Sequence, residues 1–587
     1  MRRSRAVRQS SIVPLSALYY YYRIPLAYRQ LSEKGDAVMV DVGRSMIPAG
    51  MSLEEKIGRL IWCGFKGYRS AYNSAGFTSQ RRMLEQGLLG GLVLQEGDLY
   101  ESATLINQIQ QGCGRTLVVA ADAENGLGAL LNEGTCFPSN MAFGATRSGE
   151  YGYLAGKVLA EEATAVGINL IFGPTCARPG PGLPEGLPDV RAFGEKLHLV
   201  TRLSIAFVRG VHDGGARAVP RYFPGTAAVL KGEIAGNRWL HYMRKLLVDT
   251  ELSIYEMLFQ AGLGAVMVDW REMPDLLSGR SRLALTNYQL LEVFLREVMG
   301  FEGVAVSPDL SLPGMEKLLE PDTLAGMINA GVDVLAGVPN PEEAMRVIRE
   351  AVVLEKISLS RLDSAVERAL GFSIKVKSGE KSAIRPEEID KRVGSPANLE
   401  VADRIAEDSI TLLRDRRGVL PLDPASHRTL LNISFTSRAG NRIDGPLEGA
   451  LREKFDRVIA RRIDRSSMPS SLDEAWEETG FANVIVCSMF TNQPPDYTCH
   501  GFSTSQIEFI QRLISREQPV IMVAFGDPCT IRLFPEVDCY ICLYSDCPAS
   551  QRALVRELFG ELVLPVKGKL PIALDSSFPY GYGQDLY

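Results

Sequence analysis

From about residue 52 to residue 371, short apolar runs alternate with longer amphipathic stretches. The runs are Leu60–Phe65, Gly91–Leu94, Thr116–Asp122, Asn169–Gly173, Ala216–Phe223, Ala265–Trp270, Gly303–Asp309 and Asp333–Val338, eight in all. Between them lie helix-like segments such as Glu150–Val166, Leu199–His212, Tyr288–Met299 and Pro341–Lys356. Near-continuous apolar strands alternating with helices imply a parallel sheet covered on both faces. Eight such units predict a (β/α)₈ barrel of TIM type over 52–371, with a doubly wound sheet as the alternative. Ser52, three residues before Glu55, is a suitable N-cap for the first helix.

Residues 372–400 are rich in Lys and Glu with few apolar anchors, and they read as a linker across the surface. A second α/β pattern occupies 401–575. A helix at Glu400–Leu413 leads to Val419–Leu422, and apolar strands follow at Thr429–Ile433, Val484–Met489, Val520–Phe525 and Cys539–Tyr544. Helices are expected near Thr504–Ser515 and Ser550–Phe559, which makes a smaller α/β sandwich. The tail, 576–587, reads as loop. The extension, 1–51, begins basic and then turns moderately apolar. Pro14 and the Tyr19–Tyr22 run interrupt that apolar stretch, and no clear small-residue cleavage site follows, so it is read as an extension rather than a signal peptide.

The composition narrows the function classes. The chain has 587 residues, with 46% apolar and 23% charged, as expected of a folded globular protein. A net charge of −6 argues against a nucleic-acid binder. No apolar run is long enough to span a membrane. Ten cysteines and five histidines form no recognisable metal spacing. Cys539 and Cys542 fit a CxxC string, but positions i and i+3 of a strand face opposite ways. A reducing cytoplasmic setting is the expectation, and no metal or organic cofactor is implied.

In a barrel, reactive groups come from the C-terminal strand ends. That rule selects Glu96, Asp122, Glu124, Arg221, Tyr222, Asp269 and Asp309. Trp270, also at a strand end, is expected to line the pocket. Several carboxylates around one mouth suit a polyhydroxylated ligand or acid/base work on a glycosidic bond. Each alone could equally cap a helix or pair with an arginine.

The motifs carry a resemblance. Thr116-Leu-Val-Val-Ala-Ala-Asp122-Ala-Glu124-Asn-Gly, Phe137-Pro-Ser-Asn-Met-Ala-Phe-Gly144-Ala-Thr, Glu161-Glu-x₄-Gly167-Ile-Asn169-Leu-Ile-Phe-Gly-Pro174, Arg191-Ala-Phe-Gly194 and Gly300-Phe-Glu-Gly303-Val occur in order. So do Leu412-Leu-x₆-Leu-Pro-Leu422, Pro519–Gly526 and Leu558-Phe-Gly-Glu561 through Gly568-Lys-Leu-Pro571. The chain resembles glycoside hydrolase family 3, in its two-domain bacterial β-N-acetylhexosaminidase branch. The resemblance implies a retaining glycosidase. An Asp at the end of strand seven would be nucleophile, a loop His oriented by an Asp would be acid/base, and a third-strand Asp with a Lys-His pair would hold the sugar.

The departures fall on those positions. The family's Ser-Asp is Ser307-Pro308-Asp309 here, and proline cannot form a glycosyl ester. Asp309 is one residue away, a change of face on a regular strand, although a proline can redirect the chain locally. Lys-His-Phe-Pro-Gly-His-Gly is replaced by Arg221-Tyr222-Phe-Pro-Gly225-Thr-Ala. The Asp-Ser-His is absent, with Glu233 and Ile234 near its place and His241 several residues late. Asp122 and Arg191 are the matching polar residues that remain.

Three readings follow. One is a non-catalytic homologue that binds carbohydrate, such as an N-acetylglucosamine-containing ligand, or a protein partner through the mouth. Its substrate-binding candidates are Asp122, Glu124, Arg191, Arg221, Tyr222 and Trp270. The second is an active β-glycosidase with Asp309 or Asp269 as relocated catalytic carboxylate. The third is phosphorolysis, with Arg221 binding the anion. The loop Phe490–Phe502, with Asp496 and His500, is a candidate contribution from the second unit.

Overall fold

The computed structural model describes residues 50–585, apart from 180–189, 226–250, 275–280, 378–383, 424–425, 427, 437–442, 465, 492–501 and 563–565. Glu233, Ile234, His241, Asp496, His500 and most of the extension before residue 52 lie outside the described residues.

All eight expected barrel strands are present: β1 (Ile61–Gly67), β2 (Gly91–Gly97), β3 (Val118–Ala121), β4 (Leu170–Thr175), β5 (Arg217–Phe223), β6 (Ala265–Val268), β7 (Val304–Asp309) and β8 (Val334–Val338). They close into a parallel barrel in chain order, with β8 against β1. The strands are apolar throughout because both faces are covered, one by the barrel interior and one by the helices. Ser52 caps the first helix as expected. Its Oγ accepts from the Glu55 N–H at 3.2 Å, and the Ser52 N–H donates to Glu55 Oε2 at 2.7 Å.

The floor of the barrel carries a buried charge cluster. Asp333, just before β8, accepts from Arg296 at 2.6 Å, Arg368 at 3.0 Å and Arg361 at 3.1 Å. It also accepts the Ala305 N–H of β7 at 3.0 Å. Burial works against the Asp333 charge, but the three guanidinium groups prevail and hold its carboxyl below the usual range.

The stretch expected to be a linker is partly helical. The helix Leu359–Lys377 runs past residue 372, and Pro386–Arg392 forms a further helix with Ile389 buried. The expected helix at Glu400–Leu413 is shifted. It begins at Pro396 under a Ser395 cap and ends at Ser409. Thr411–Asp415 is instead strand β9.

Strands β10 (Thr429–Thr436), β11 (Arg457–Ile463), β12 (Val484–Phe490), β13 (Val520–Ala524) and β14 (Cys539–Cys542) complete a six-stranded sheet. Its order is β9-β14-β13-β12-β10-β11, with only β9 antiparallel to its neighbour. Side-chain alternation divides two cores. Val484, Val486 and Phe490 share a continuous apolar core with the barrel, whereas Ile485, Cys487 and Met489 pack on the other face. Cys539 and Cys542 fall in these different cores, as strand alternation requires. The tail is irregular but packed: Gln584 bridges to Leu412, and Phe578 is buried.

Candidate functional site at the barrel mouth

The strand ends bring most of the predicted residues to one mouth. Arg221, at the end of β5, is buried and reaches across to the residues that follow β3. Its Nη1 donates to Asp122 Oδ2 at 2.7 Å and its Nη2 to Glu124 Oε1 at 2.7 Å. Its Nε lies 3.4 Å from Thr175 Oγ1. Burial opposes the charge, but the two carboxylates outweigh it and raise the guanidinium well above its ordinary pKa.

Glu124 is held further by Thr175, whose N–H donates at 2.9 Å, and by the Asn140 amide at 3.3 Å. Glu124 is thus a buried structural acid whose lone pairs are largely used. Asp122 differs, since half of its side chain stays exposed at the mouth.

Tyr222 lies between two cations. Its ring faces the Arg221 guanidinium at 5.5 Å and that of Arg191 at 5.9 Å. Arg191 Nη1 also donates to the Tyr222 hydroxyl at 3.4 Å. Burial raises the phenol pKa, and the two arginines work against that rise. The phenol remains a neutral donor at ordinary pH.

Asp269 follows β6 and is fully buried. Arg271 grips both of its oxygens, with Nε 3.0 Å from each and Nη2 2.5 Å from Oδ2. The Arg271 N–H donates to Oδ1 at 3.0 Å as well. Trp270 beside it is 41% exposed. Glu96, at the end of β2, forms an exposed ion pair with Lys66 at 2.6 Å.

The end of β7 holds the main geometric finding. Val306 pairs with Val334 of β8, and Asp309 pairs with Ala336. Three steps on β7 match two on β8, so the strand is bulged at Ser307-Pro308. The Ala336 N–H bonds the Ser307 Oγ at 2.9 Å instead of a strand carbonyl. A bulge tolerates proline because the ladder is already interrupted there. The extra residue restores Asp309 to the register position that residue 308 would hold on a regular strand.

The Asp309 carboxylate meets its neighbours at this mouth. Its Oδ1 accepts from Ser311 N–H at 2.9 Å and Ser311 Oγ at 2.6 Å. The Gln95 amide of β2 lies 3.4 Å from Oδ2. Burial raises its pKa, with the Asp122 charge adding to the rise and the Ser311 and Gln95 bonds opposing it.

Sequence reasoning passed over Gln95, Thr175, Asn140, Arg271 and Ser311. Gln95 and Thr175 also sit at strand ends, so a search not restricted to charged groups finds them.

Comparison with known proteins agrees with the barrel architecture. The family model described as the glycosyl hydrolase family 3 N-terminal domain matches residues 52–371. The chain belongs to glycosyl hydrolase family 3. Within family 3, it is 23% identical to a β-N-acetylglucosaminidase/β-glucosidase of Cellulomonas fimi, over 89% of this chain and 94% of that protein. It is 29% identical to a β-hexosaminidase of Thioalkalivibrio sulfidiphilus, over 46% of this chain and 79% of the relative. A solved family 3 β-N-acetylglucosaminidase from Paenibacillus superposes with a TM-score of 0.75 at 25% identity, covering 89% of this chain and 99% of that one. The chain is therefore a β-hexosaminidase-like member of family 3. Among the described residues, no helix is long and apolar enough to cross a membrane.

Proposed function

We propose that this chain is a carbohydrate-binding family 3 protein that takes an N-acetylglucosamine-containing glycan at the barrel mouth without forming a covalent intermediate. One observation carries the reading. In sequence, buried Pro308 takes the position where the family resemblance calls for the nucleophile, and the Asp309 carboxylate that the bulge brings into its register is engaged by Ser311 and Gln95. The other acids are similarly committed, Glu124 to Arg221 and Thr175 and Asp269 to Arg271. Half-exposed Asp122 and the Arg191–Tyr222 pair are the groups offered to sugar hydroxyls, which favours a glycan over a protein partner. Losing the general acid alone typically lowers a rate 10²–10⁴-fold, roughly. Anion binding for phosphorolysis loses support, because Arg221 is spent on Asp122, Glu124 and Thr175. The unbridged described cysteines are in keeping with a cytoplasmic setting.

A second reading has its own support. The bulge returns Asp309 to the register of residue 308, which favours a glycosidase with Asp309 as its relocated carboxylate.

Turnover of chromogenic β-glycosides, led by the N-acetylglucosaminide, separates the two. Wild type, Asp309→Asn and Asp269→Asn are run side by side with calorimetric titration of N-acetylglucosamine. The binding reading expects heat of binding and background hydrolysis in all three. Hydrolysis by wild type that is lost in Asp309→Asn sinks it in favour of the second reading.

A further inference from the structure

We propose that the barrel rim between Arg147, Lys196 and Arg202 binds a phosphate-class oxyanion, at a site built by the barrel and the tail of the second unit and by none of the mouth residues. Arg147 follows the helix Asn140–Thr146 and precedes the helix Gly149–Ala165. Its guanidinium lies over the Tyr580 ring of the tail, 4.7 Å from the centroid, and the Lys196 ammonium lies 5.1 Å from the same centroid. Beside them, Arg202 Nη2 donates to the Arg147 carbonyl at 2.6 Å. The three cations thus gather around one backbone turn and one ring.

Two helix starts meet at the same corner. Gly152 lies against Leu203, and Gly156 against Phe207, so the helices Gly149–Ala165 and Leu197–Asp213 run parallel with their positive ends together. Ser148 Oγ accepts the Tyr151 N–H at 3.4 Å, which leaves the Gly149 and Glu150 N–H groups without intrahelical partners. The second helix starts at Leu197 with no side-chain cap. Arg202 runs over the start of the first, its Cγ 3.6 Å from where a Gly149 side chain would begin. Helix-start N–H groups and guanidinium groups gathered at one corner are the donors from which a tetrahedral oxyanion accepts.

The protein supplies these cations with little negative charge of its own. Arg147 Nε and Nη2 are buried and find no hydrogen-bond partner among the described residues. This sets Arg147 apart from Arg296, Arg361 and Arg368 of the floor, which share Asp333, and from Arg221, which holds two acids. Of the nearby acids, Glu195 is taken by Lys196 and the Ala573 N–H, and Asp585 by Lys569. Exposed Glu150 is left in the first helical turn. A guanidinium with desolvated, unpaired donors gains more from an approaching anion than one already paired.

The test titrates the full chain with sodium phosphate by calorimetry, against sodium chloride at matched ionic strength. Saturable binding is expected, about tenfold weaker in Arg147→Met and about threefold weaker in Arg202→Gln. Arg209→Gln, which removes an exposed cation about two turns further along the same helix, should leave the affinity unchanged. A second titrant, N-acetylglucosamine 6-phosphate, tells the sources of the anion apart. An Arg202-dependent affinity above that of phosphate assigns it to a glycan, and one at or below it assigns it to the free ion. Circular dichroism establishes folding, and the Arg202→Gln arm stands if Arg147→Met fails to fold. No saturable phosphate binding by wild type overturns the proposal. So does an affinity that either folded variant, at 147 or 202, keeps in full, or that Arg209→Gln lowers as much as they do.

Discussion

The carboxylate of Asp309 fills the space that a side chain on Gly337 would need. A Cβ there would stand 1.8 Å from Oδ1, and the Gly337 φ of +65° also disfavours other residues. The last barrel strand thus leaves room for the bulged one.

The first prediction rests on that close approach. Gly337→Ala should destabilise the protein by about 2–4 kcal/mol, from steric overlap and positive φ together. Adding Asp309→Ala should recover about half, since the overlap is removed and the backbone strain stays. Denaturant unfolding of the two single variants and the double checks this. Additive losses would remove the contact as their cause.

Arg221 neutralises a buried acid. Arg221→Leu leaves Glu124 charged and uncompensated and should cost about 3–5 kcal/mol. The paired change Arg221→Leu with Glu124→Gln should recover a large part of that. Urea midpoints of the three proteins decide the matter. Asp122→Asn should cost well under half as much, because Asp122 is solvated.

Asp333 serves the scaffold and not the mouth. Asp333→Ala strands three cationic side chains beneath the barrel and should cost about 3–5 kcal/mol. Its folded fraction at low temperature should keep wild-type affinity for any sugar that wild type binds. Calorimetric titration beside a thermal melt measures both.

Glu557 makes stability depend on pH. Burial raises its carboxyl to about 7 from the ordinary 4.5. A raised folded value means that its neutral form is preferred on folding. Its contribution is fully present below about pH 4.5 and is lost as pH rises through about 7. Glu557→Gln should therefore stabilise by about 2 kcal/mol near pH 8.5 and change little near pH 4.5. Unfolding curves at the two values test the sign.

The barrel was legible because burial on both faces made its strands continuous apolar runs. Strand β11 was not, since it is an edge strand with Arg457 exposed and Arg461 and Arg462 half-buried, Arg461 pairing with Glu478, so charges break its apolar run. The helix near 400 was shifted because Ser395 and Pro396 start it early, while Thr411-Leu-Leu joins a buried strand. At the site, strand ends identified Asp122, Arg221 and Asp309. The bulge stayed hidden because it is a property of two strands: the offset between β7 and β8 depends on Gly337 as much as on Pro308. The gripping of Asp269 by Arg271 was equally hidden, since adjacent charges in sequence do not reveal which way a loop turns.

The apolar core that runs from the barrel into one face of the second sheet has a thermodynamic consequence. Val484, Val486, Phe490, Ile521 and Val523 lose their covering if the barrel opens, and the barrel helices lose theirs in return. Heating should produce one cooperative heat-absorption peak rather than two. A chain cut near residue 400 would be an exposed half-interface prone to association, not a smaller working barrel.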